Sequence, residues 1–171
     1  MGIAGEEELI ARNMQDGNHF VILRHALAPG TGDPQDFVLG DCATQRNLSA
    51  KGRSQAEKIG ELLRSHGIDN ARVFSSQWCR CLETARLLGL GEVEELPALN
   101  SFFRFFEKKE KQTAELRAWL KEQDLGMPLV LVTHQVNITA LTGVFPGSGE
   151  MVIVERKEGG KLRVAGTVPT L

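Results

Sequence analysis

Two short runs constrain this chain more than anything else in it: Phe20-Val21-Ile22-Leu23 and Leu129-Val130-Leu131-Val132. Successive side chains of a strand point to opposite faces, so a strand that is apolar at every position must be covered on both sides. That pattern belongs to a parallel sheet with helices above and below. Arg72-Val73-Phe74-Ser75 reads as a further strand and Val93 to Leu99 as another. Helical spacing falls between them. One helix opens at the N-cap Ser49 and runs to about His66, with Ala56, Ile59, Leu62 and Leu63 on one face and Gly67 as its stop. A second starts at Ser76 or Gln77 and reaches about Leu88. A third covers 113–124, with Leu116, Trp119 and Leu120 on one stripe, and a fourth runs from about Asn137 to Thr142. Residues 6–14 read as a short polar helix, and 26–47 as a long loop rich in Gly, Pro and Asp. Segment 100–112 is irregular and holds four phenylalanines, and Met151 to Val154 forms a hairpin with Leu162 to Val168 around Gly159-Gly160. The expectation is a three-layer α/β/α sandwich with a mostly parallel central sheet. No stretch has linker composition, so residues 1–171 are expected to form a single domain.

Composition narrows the function classes. Lys and Arg number 20 against 22 Asp and Glu, a formal net charge of −2. A basic excess, the footprint of nucleic-acid binding, is missing, so no nucleic-acid partner is expected. No apolar run approaches the roughly 18 residues that span a bilayer, so no membrane insertion is expected. The start of the chain lacks a basic and an apolar signal region, and no secretory signal is expected in it. Three cysteines are too few for a disulfide scaffold. The simplest reading is small buried thiols, although Cys42 could pair with Cys79 or Cys81 if the protein is exported. The Cys79-x-Cys81 spacing does not suit zinc.

The polar residues then fall in a telling place. The first strand ends in Leu23-Arg24-His25. The second ends in Ser75-Ser76, with Arg80 one turn into the next helix. The other fully apolar strand ends in Thr133-His134. Ligands of open parallel sheets bind beyond the carboxyl ends of the strands. Arg24, His25, Arg80 and His134 should therefore meet although they are far apart in sequence. Taken singly, a histidine or arginine at a strand end is more often structural than functional; four at corresponding ends carry the inference. His19 and His66 lack that placement and read as surface or helix-end residues.

Two guanidiniums and two imidazoles in one crevice suit a phosphoryl group, because arginine forks match its oxygens and helix N-termini add N–H donors. No acidic cluster accompanies them, so neither a metal nor another cofactor is expected. A neutral imidazole can act as nucleophile, with arginines stabilising charge during transfer. Other chemistries fit badly. A cysteine phosphatase needs Arg six positions after its Cys, where this chain has Leu48, Ala85 or Leu87. There is neither a Walker loop nor a Gly-x-Ser-x-Gly elbow.

These residues also resemble the motifs of a known family. Leu23-Arg24-His25-Ala26 is similar to the Arg-His-Gly motif of the histidine phosphatase superfamily, which includes phosphoglycerate mutases and phosphohistidine phosphatases. Asn47-Leu48-Ser49-Ala50-Lys51-Gly52 resembles its entry to the first helix. Ser75-Ser76-Gln77-Trp78-Cys79-Arg80 with Glu83-Thr84-Ala85 resembles its Ser-Ser…Arg…Thr-Ala block, and Val132-Thr133-His134 its second histidine motif. The likeness covers nearly residues 19–145. It implies a phosphoglycerate mutase-like fold with a short cap. It makes His25 the residue that becomes phosphorylated, Arg24, Arg80 and His134 the phosphoryl-binding groups, and a metal unnecessary. The stretches Gly40–Asn47 and Trp78–Cys81 resemble a small bacterial branch with exported members, which implies the periplasm, with the cytoplasm as the alternative.

The departures bear on the chemistry. Ala26 replaces the usual Gly and is expected to narrow the approach slightly. Gln135 follows His134 where the acid phosphatase branch has a proton-donating Asp. Leu99-Asn100-Ser101-Phe102 holds no acid where the mutase branch has Glu. Asp33, Asp36, Asp41 and Glu107 lie on loops that can reach the site and are the candidate general acids. Without an acid, good leaving groups are favoured, which points to a phosphatase acting on a phosphomonoester or phosphoramidate. The alternatives are a non-catalytic phospholigand-binding module and a mutase-type phosphoryl transfer. The run Phe102-Phe103-Arg104-Phe105-Phe106 reads as core packing, or as a lid wall from which Arg104 reaches a second anion. A short cap implies an open pocket for a phosphorylated small molecule or a phosphoprotein.

Overall fold

The computed structural model describes Gly5, residues 8–10 and residues 13–171. The helix expected over 6–14 lies partly outside them; Gly5, residues 8–10 and Asn13 are helical, and Ile10 and Met14 are buried.

His19–Arg24 (β1), Arg72–Ser75 (β2), Val93–Glu95 (β3), Leu129–Thr133 (β4), Met151–Arg156 (β5) and Leu162–Val168 (β6) form one sheet in the order β3-β2-β4-β1-β5-β6. The first four strands of that order run parallel, and β5 and β6 add an antiparallel edge. Among the described residues, the helices Ala50–Ser65 (α1), Cys79–Leu87 (α2), Lys109–Glu122 (α3) and Gln135–Thr142 (α4) cover the faces. Strand alternation sorts the core. Val21, Leu23, Val73, Val130 and Val132 pack with Ile59 and Leu63 of α1, Ala85 of α2 and Leu88 just after it. Phe20, Ile22, Phe74, Leu129 and Leu131 pack with Leu116, Leu120, Ile138 and Leu141 of α3 and α4. This is the expected sandwich with both faces of the apolar runs buried.

Ser49 caps α1 by accepting from Gly52 N at 3.0 Å, and Gly67, at φ 85°, follows its end. Gly52 also permits close packing: a Cβ there would sit 2.0 Å from Leu27 O, so any larger residue would push the loop after β1 off the helix.

Several boundaries differ from the sequence reading. Helix α2 starts at Cys79, because the amides of Ser76 and Gln77 are taken elsewhere: Ser76 N donates to Val132 O at 3.0 Å and Gln77 N to Asn100 Oδ1 at 2.8 Å. Strand β3 stops at Glu95, since Pro97 has no N–H to continue a ladder and opens a 3-10 turn, Pro97–Leu99. Helix α3 begins at Lys109 because a 3-10 turn, Phe106–Lys108, runs directly into it; its first turn is polar and exposed, so it leaves no mark on an apolar stripe. Helix α4 begins at Gln135, immediately after His134. His19 is buried at the start of β1, 2.7 Å from Asp16 Oδ2, and is not a surface residue; His66 does end α1.

Candidate active site

The sheet register alone brings the expected residues together. Strand β4 lies between β1 and β2, with Arg24 opposite Thr133 and Ser75 opposite Val132. The ladders continue one step further, through His25 N to Thr133 O at 3.0 Å and Ser76 N to Val132 O at 3.0 Å. His25, Ser76 and His134 therefore emerge side by side at the carboxyl edge, and α2 brings Arg80 over them.

The His25 and His134 rings lie 5.7 Å apart at 68°, and both residues are almost wholly buried, at 2% and 3% exposure. His25 Nδ1 is 2.8 Å from Ala26 O. A carbonyl oxygen only accepts, so Nδ1 carries the proton and the lone pair is on Nε2. That nitrogen accepts from Arg80 Nε at 3.2 Å. Burial, reinforced by the Arg80 charge, pushes the His25 pKa down to about 3, so the ring is neutral. His134 is held well below the ordinary histidine value for the same two reasons. Its Nε2 bonds Ser76 Oγ at 2.8 Å, which fixes the ring, and Cys81 Sγ lies 3.5 Å away. Burial pushes the Cys81 thiol up to about 12, so it stays protonated.

Thr84 explains part of the α2 motif. Its hydroxyl donates to Arg80 O at 2.7 Å and accepts from Ala26 N at 3.0 Å, tying the backbone after His25 to the helix. Ala26 does not narrow the approach. No described non-glycine residue has a positive φ, so its backbone is ordinary, and its side chain packs with Ala28, Leu48 and Ala56 away from the opening.

The strand ends floor a cavity of about 320 Å³, which Arg24, His25, Arg80 and His134 all line. Arg24 Nη1 donates to Pro146 O at 3.0 Å, while its buried Nε has no protein partner. Burial first, and Arg80 second, lower its pKa.

Of the four candidate acids, Asp33 alone lines the cavity. Asp41 is turned to the backbone, accepting from Ala43 N at 3.2 Å ahead of the 3-10 turn Cys42–Thr44. Asp36 and Glu107 are exposed away from the opening. Asp33 meets Arg80 fork to fork, Oδ1 to Nη1 at 2.8 Å and Oδ2 to Nη2 at 3.3 Å, and takes Trp78 Nε1–H at 3.0 Å. Burial raises its pKa, but the bonds and charge of Arg80 outweigh that and hold it below the usual value.

Two contributors went unread in the sequence. Arg46 lines the cavity and is anchored by donating to Gly32 O at 2.6 Å and to Ala28 O. Burial and the neighbouring Arg80 lower its pKa to about 10. Trp78 stacks on Phe37 at 5.0 Å and meets the His134 ring edge-on at 5.3 Å. Nothing in the local sequence marks Arg46, because its reach depends on the path of the 26–47 loop. That loop is stapled to α2 by a disulfide between Cys42 and Cys79, which settles the pairing and overturns the reading of these two as buried thiols; Cys81 is free.

The cap segment splits. Phe102 is core, whereas Phe103 and Phe105 line the opening at 45% and 51% exposure. Arg104 also lines the cavity, and it donates to the carbonyls of Asp33 and Pro34, latching the cap to the loop. Gln135 also lines the cavity, its amide donating to Thr139 Oγ1 at 2.7 Å. Among the described residues, no group of three or more His, Cys, Asp or Glu could hold a metal ion, and no helix is long and apolar enough to cross a membrane.

The family model of the histidine phosphatase superfamily, branch 1, matches residues 20–128. The chain belongs to the histidine phosphatase superfamily. The matched span includes Arg24, His25 and Arg80 and ends before His134. No curated protein matches the chain in sequence. Solved histidine phosphatase structures resemble it in fold. The protein histidine phosphatase SixA, complexed with tungstate, superposes with a TM-score of 0.62 at 18% identity, covering 89% of this chain and 97% of its own. Mycobacterial glucosyl-3-phosphoglycerate phosphatase, complexed with VO3, gives 0.67 at 17% identity, covering 90% and 98%. A phosphoserine phosphatase mutant from Entamoeba histolytica, in complex with phosphoserine, gives 0.64 at 15%, covering 87% and 95%. The six-stranded sheet with its helices is thus the phosphoglycerate mutase-like fold of these proteins, and membership of the superfamily supports a hydrolase working through histidine.

Proposed function

We propose that the chain is a phosphatase that transfers a phosphoryl group to His25 Nε2 and then to water. The observation that carries this reading is the contact of His25 Nδ1 with the Ala26 carbonyl. That carbonyl accepts a hydrogen bond from Nδ1–H, so the neutral ring presents the Nε2 lone pair toward Arg80, and it does so inside a cavity that Arg24, Arg46 and His134 also line.

The chemistry follows. The Nε2 pair attacks phosphorus, the bond to the leaving group breaks, and the leaving group departs with its electron pair. The guanidiniums stabilise the charge on the equatorial oxygens. Water then attacks the phosphohistidine; the N–P bond breaks, its electron pair returns to Nε2, and the water proton leaves to solvent or stays on phosphate. His134, fixed by Ser76, supports both steps. The free Nε–H of Arg24 supplies a donor that the protein leaves unused. The substrate is a phosphorylated small molecule or a phosphoprotein, and the fold relatives named above for phosphohistidine-type and sugar-acid phosphatase activities accord with that.

The test is release of inorganic phosphate from para-nitrophenyl phosphate across pH 4–9, with His25→Ala alongside. The expected result is turnover by the wild type, an acid-labile phosphoryl group on His25 in quenched samples, and turnover lost in the variant with vanadate still bound. Full activity in His25→Ala would sink the mechanism. Vanadate binding without any turnover would leave a binding module, and phosphate returned to the substrate instead of water would indicate a mutase.

A further inference from the structure

Among the described residues, Asp33 is the one carboxylate that lines the cavity, and it is already spent. Asp33 Oδ1 accepts from Arg80 Nη1 at 2.8 Å and from Arg46 N at 3.4 Å; Oδ2 accepts from Arg80 Nη2 at 3.3 Å and from Trp78 Nε1 at 3.0 Å. A carboxylate has about four lone-pair positions, and four donors fill them. A proton on either oxygen would displace one of these bonds, so Asp33 has no place to carry the proton that a general acid must deliver.

The same fork decides which edge of Arg80 faces the reaction. A guanidinium has an end edge, Nη1 with Nη2, and a side edge, Nε with Nη2. Asp33 occupies the end edge. The side edge is left toward His25, and Arg80 Nε already touches His25 Nε2 at 3.2 Å. A phosphoryl group entering in front of Nε2 meets Nε–H and the second Nη2–H as a ready-made pair of parallel donors. Trp78 and the Arg46 backbone hold Asp33, and Arg104 holds the Asp33 carbonyl, so the aim of Arg80 is set before any ligand arrives.

Resting on the phosphatase reading above, we infer that Asp33 is a positioning residue for Arg80 and not the proton donor, and that the site therefore serves substrates whose leaving group departs without a proton. That class comprises aryl and acyl phosphates and N-phosphoryl groups already protonated on nitrogen. Alkyl phosphates, whose alkoxide needs a proton as the P–O bond breaks, fall outside it.

The experiment is a leaving-group series. kcat/KM is measured for wild type and Asp33→Asn on aryl phosphates of graded phenol acidity and on one alkyl phosphate, with His25→Ala as the blank. Asparagine keeps the shape but replaces one acceptor by a donor facing Arg80. The expected result is a steep fall in the wild type as the leaving group becomes more basic. Asp33→Asn should give a parallel line lower by roughly 10- to 100-fold, the effect of misplacing a transition-state contact. A loss that grows with leaving-group basicity and vanishes for the best phenol would make Asp33 the acid and overturn the inference. So would unchanged rates across the series. Should Asp33→Asn unfold, which its thermal midpoint reports, the wild-type slope still decides: alkyl and aryl phosphates turned over equally would overturn the substrate class. Absence of any His25-dependent turnover would overturn the phosphatase reading itself, whereas turnover with diverging lines would overturn only the role of Asp33.

Discussion

At the floor of the cavity, His25 and His134 are 2% and 3% exposed, and each side chain there is held by hydrogen bonding: Ala26 on His25, Ser76 on His134, Asp33 on Arg80. At the rim, Phe103 and Phe105 stand about half open to solvent. Their contacts are of another kind: Phe103 lies against Phe106, and Phe105 lies under the Lys108 ammonium. The floor is polar and over-determined, and the rim is apolar and adaptable. Buried hydrogen bonds fix geometry to a few tenths of an ångström, whereas dispersion contacts with open rings tolerate many shapes. Under the function proposed above, the floor carries the reaction and the rim is the part that meets what is attached to the phosphoryl group.

The sharpest way to break this contrast is at the floor. Arg80→Lys keeps the charge but loses both the fork to Asp33 and the side edge toward His25. We expect kcat/KM for para-nitrophenyl phosphate to fall by about 100- to 1,000-fold, mostly in kcat, as when a single transition-state donor is removed. A change of a few-fold would place the floor in the same adaptable class as the rim.

Acidity probes the floor next. The folded pKa of His25, about 3, lies below its unfolded value, so between the two the unfolded chain binds a proton that the folded one does not. Stability is complete above about pH 6.5 and falls as pH drops toward 3. From pH 7 to 5, His25 alone should account for about 2 kcal/mol, and His134 acts in the same direction. The unfolding midpoint should therefore decline in acid, and His25→Asn should flatten that decline while a rim variant leaves it unaltered. Equal slopes in all three proteins would remove the assignment of a neutral buried ring.

The smallest effect belongs to the rim. Phe103→Ala with Phe105→Ala should raise KM for aryl phosphates about three- to tenfold with kcat held, because half-open rings contribute about 1 kcal/mol of binding shared by ground and transition states. Michaelis–Menten curves for aryl and small alkyl donors check this; a collapse of kcat would mean that the rim holds the floor in place.

Much of the floor was legible in the sequence. Two runs apolar at every position required central parallel strands, and Arg24, His25 and His134 stand at the ends of those strands by chain order alone. Arg80 was readable because it stands at the start of the helix that follows β2. Asp33 was visible only as one of four loop acids, and the loop geometry that singled it out has no periodicity to read. Arg46 and Trp78 were missed for the same reason. The cysteine pairing stayed open because Cys79 and Cys81 differ by two positions on a helix, and only its orientation puts Cys79 toward the loop and Cys81 toward His134. The rim was half read: segment 102–106 leaves the core straight after Phe102, so one reading could not serve both Phe102 and Phe105.

The bond between Cys42 and Cys79 closes a covalent ring that contains α1 and β2, with a sequence separation of 37. In the chain-entropy description, such a ring removes about 4 kcal/mol of freedom from the unfolded chain. It also has a topological meaning. Arg46 sits just inside the closure on one side and Arg80 just outside it on the other, so the two banks of the cavity are moored to each other by a covalent link as well as by packing. A peptide bond cut anywhere between Cys42 and Cys79 leaves one covalent molecule, whose pieces come apart only when the disulfide is reduced.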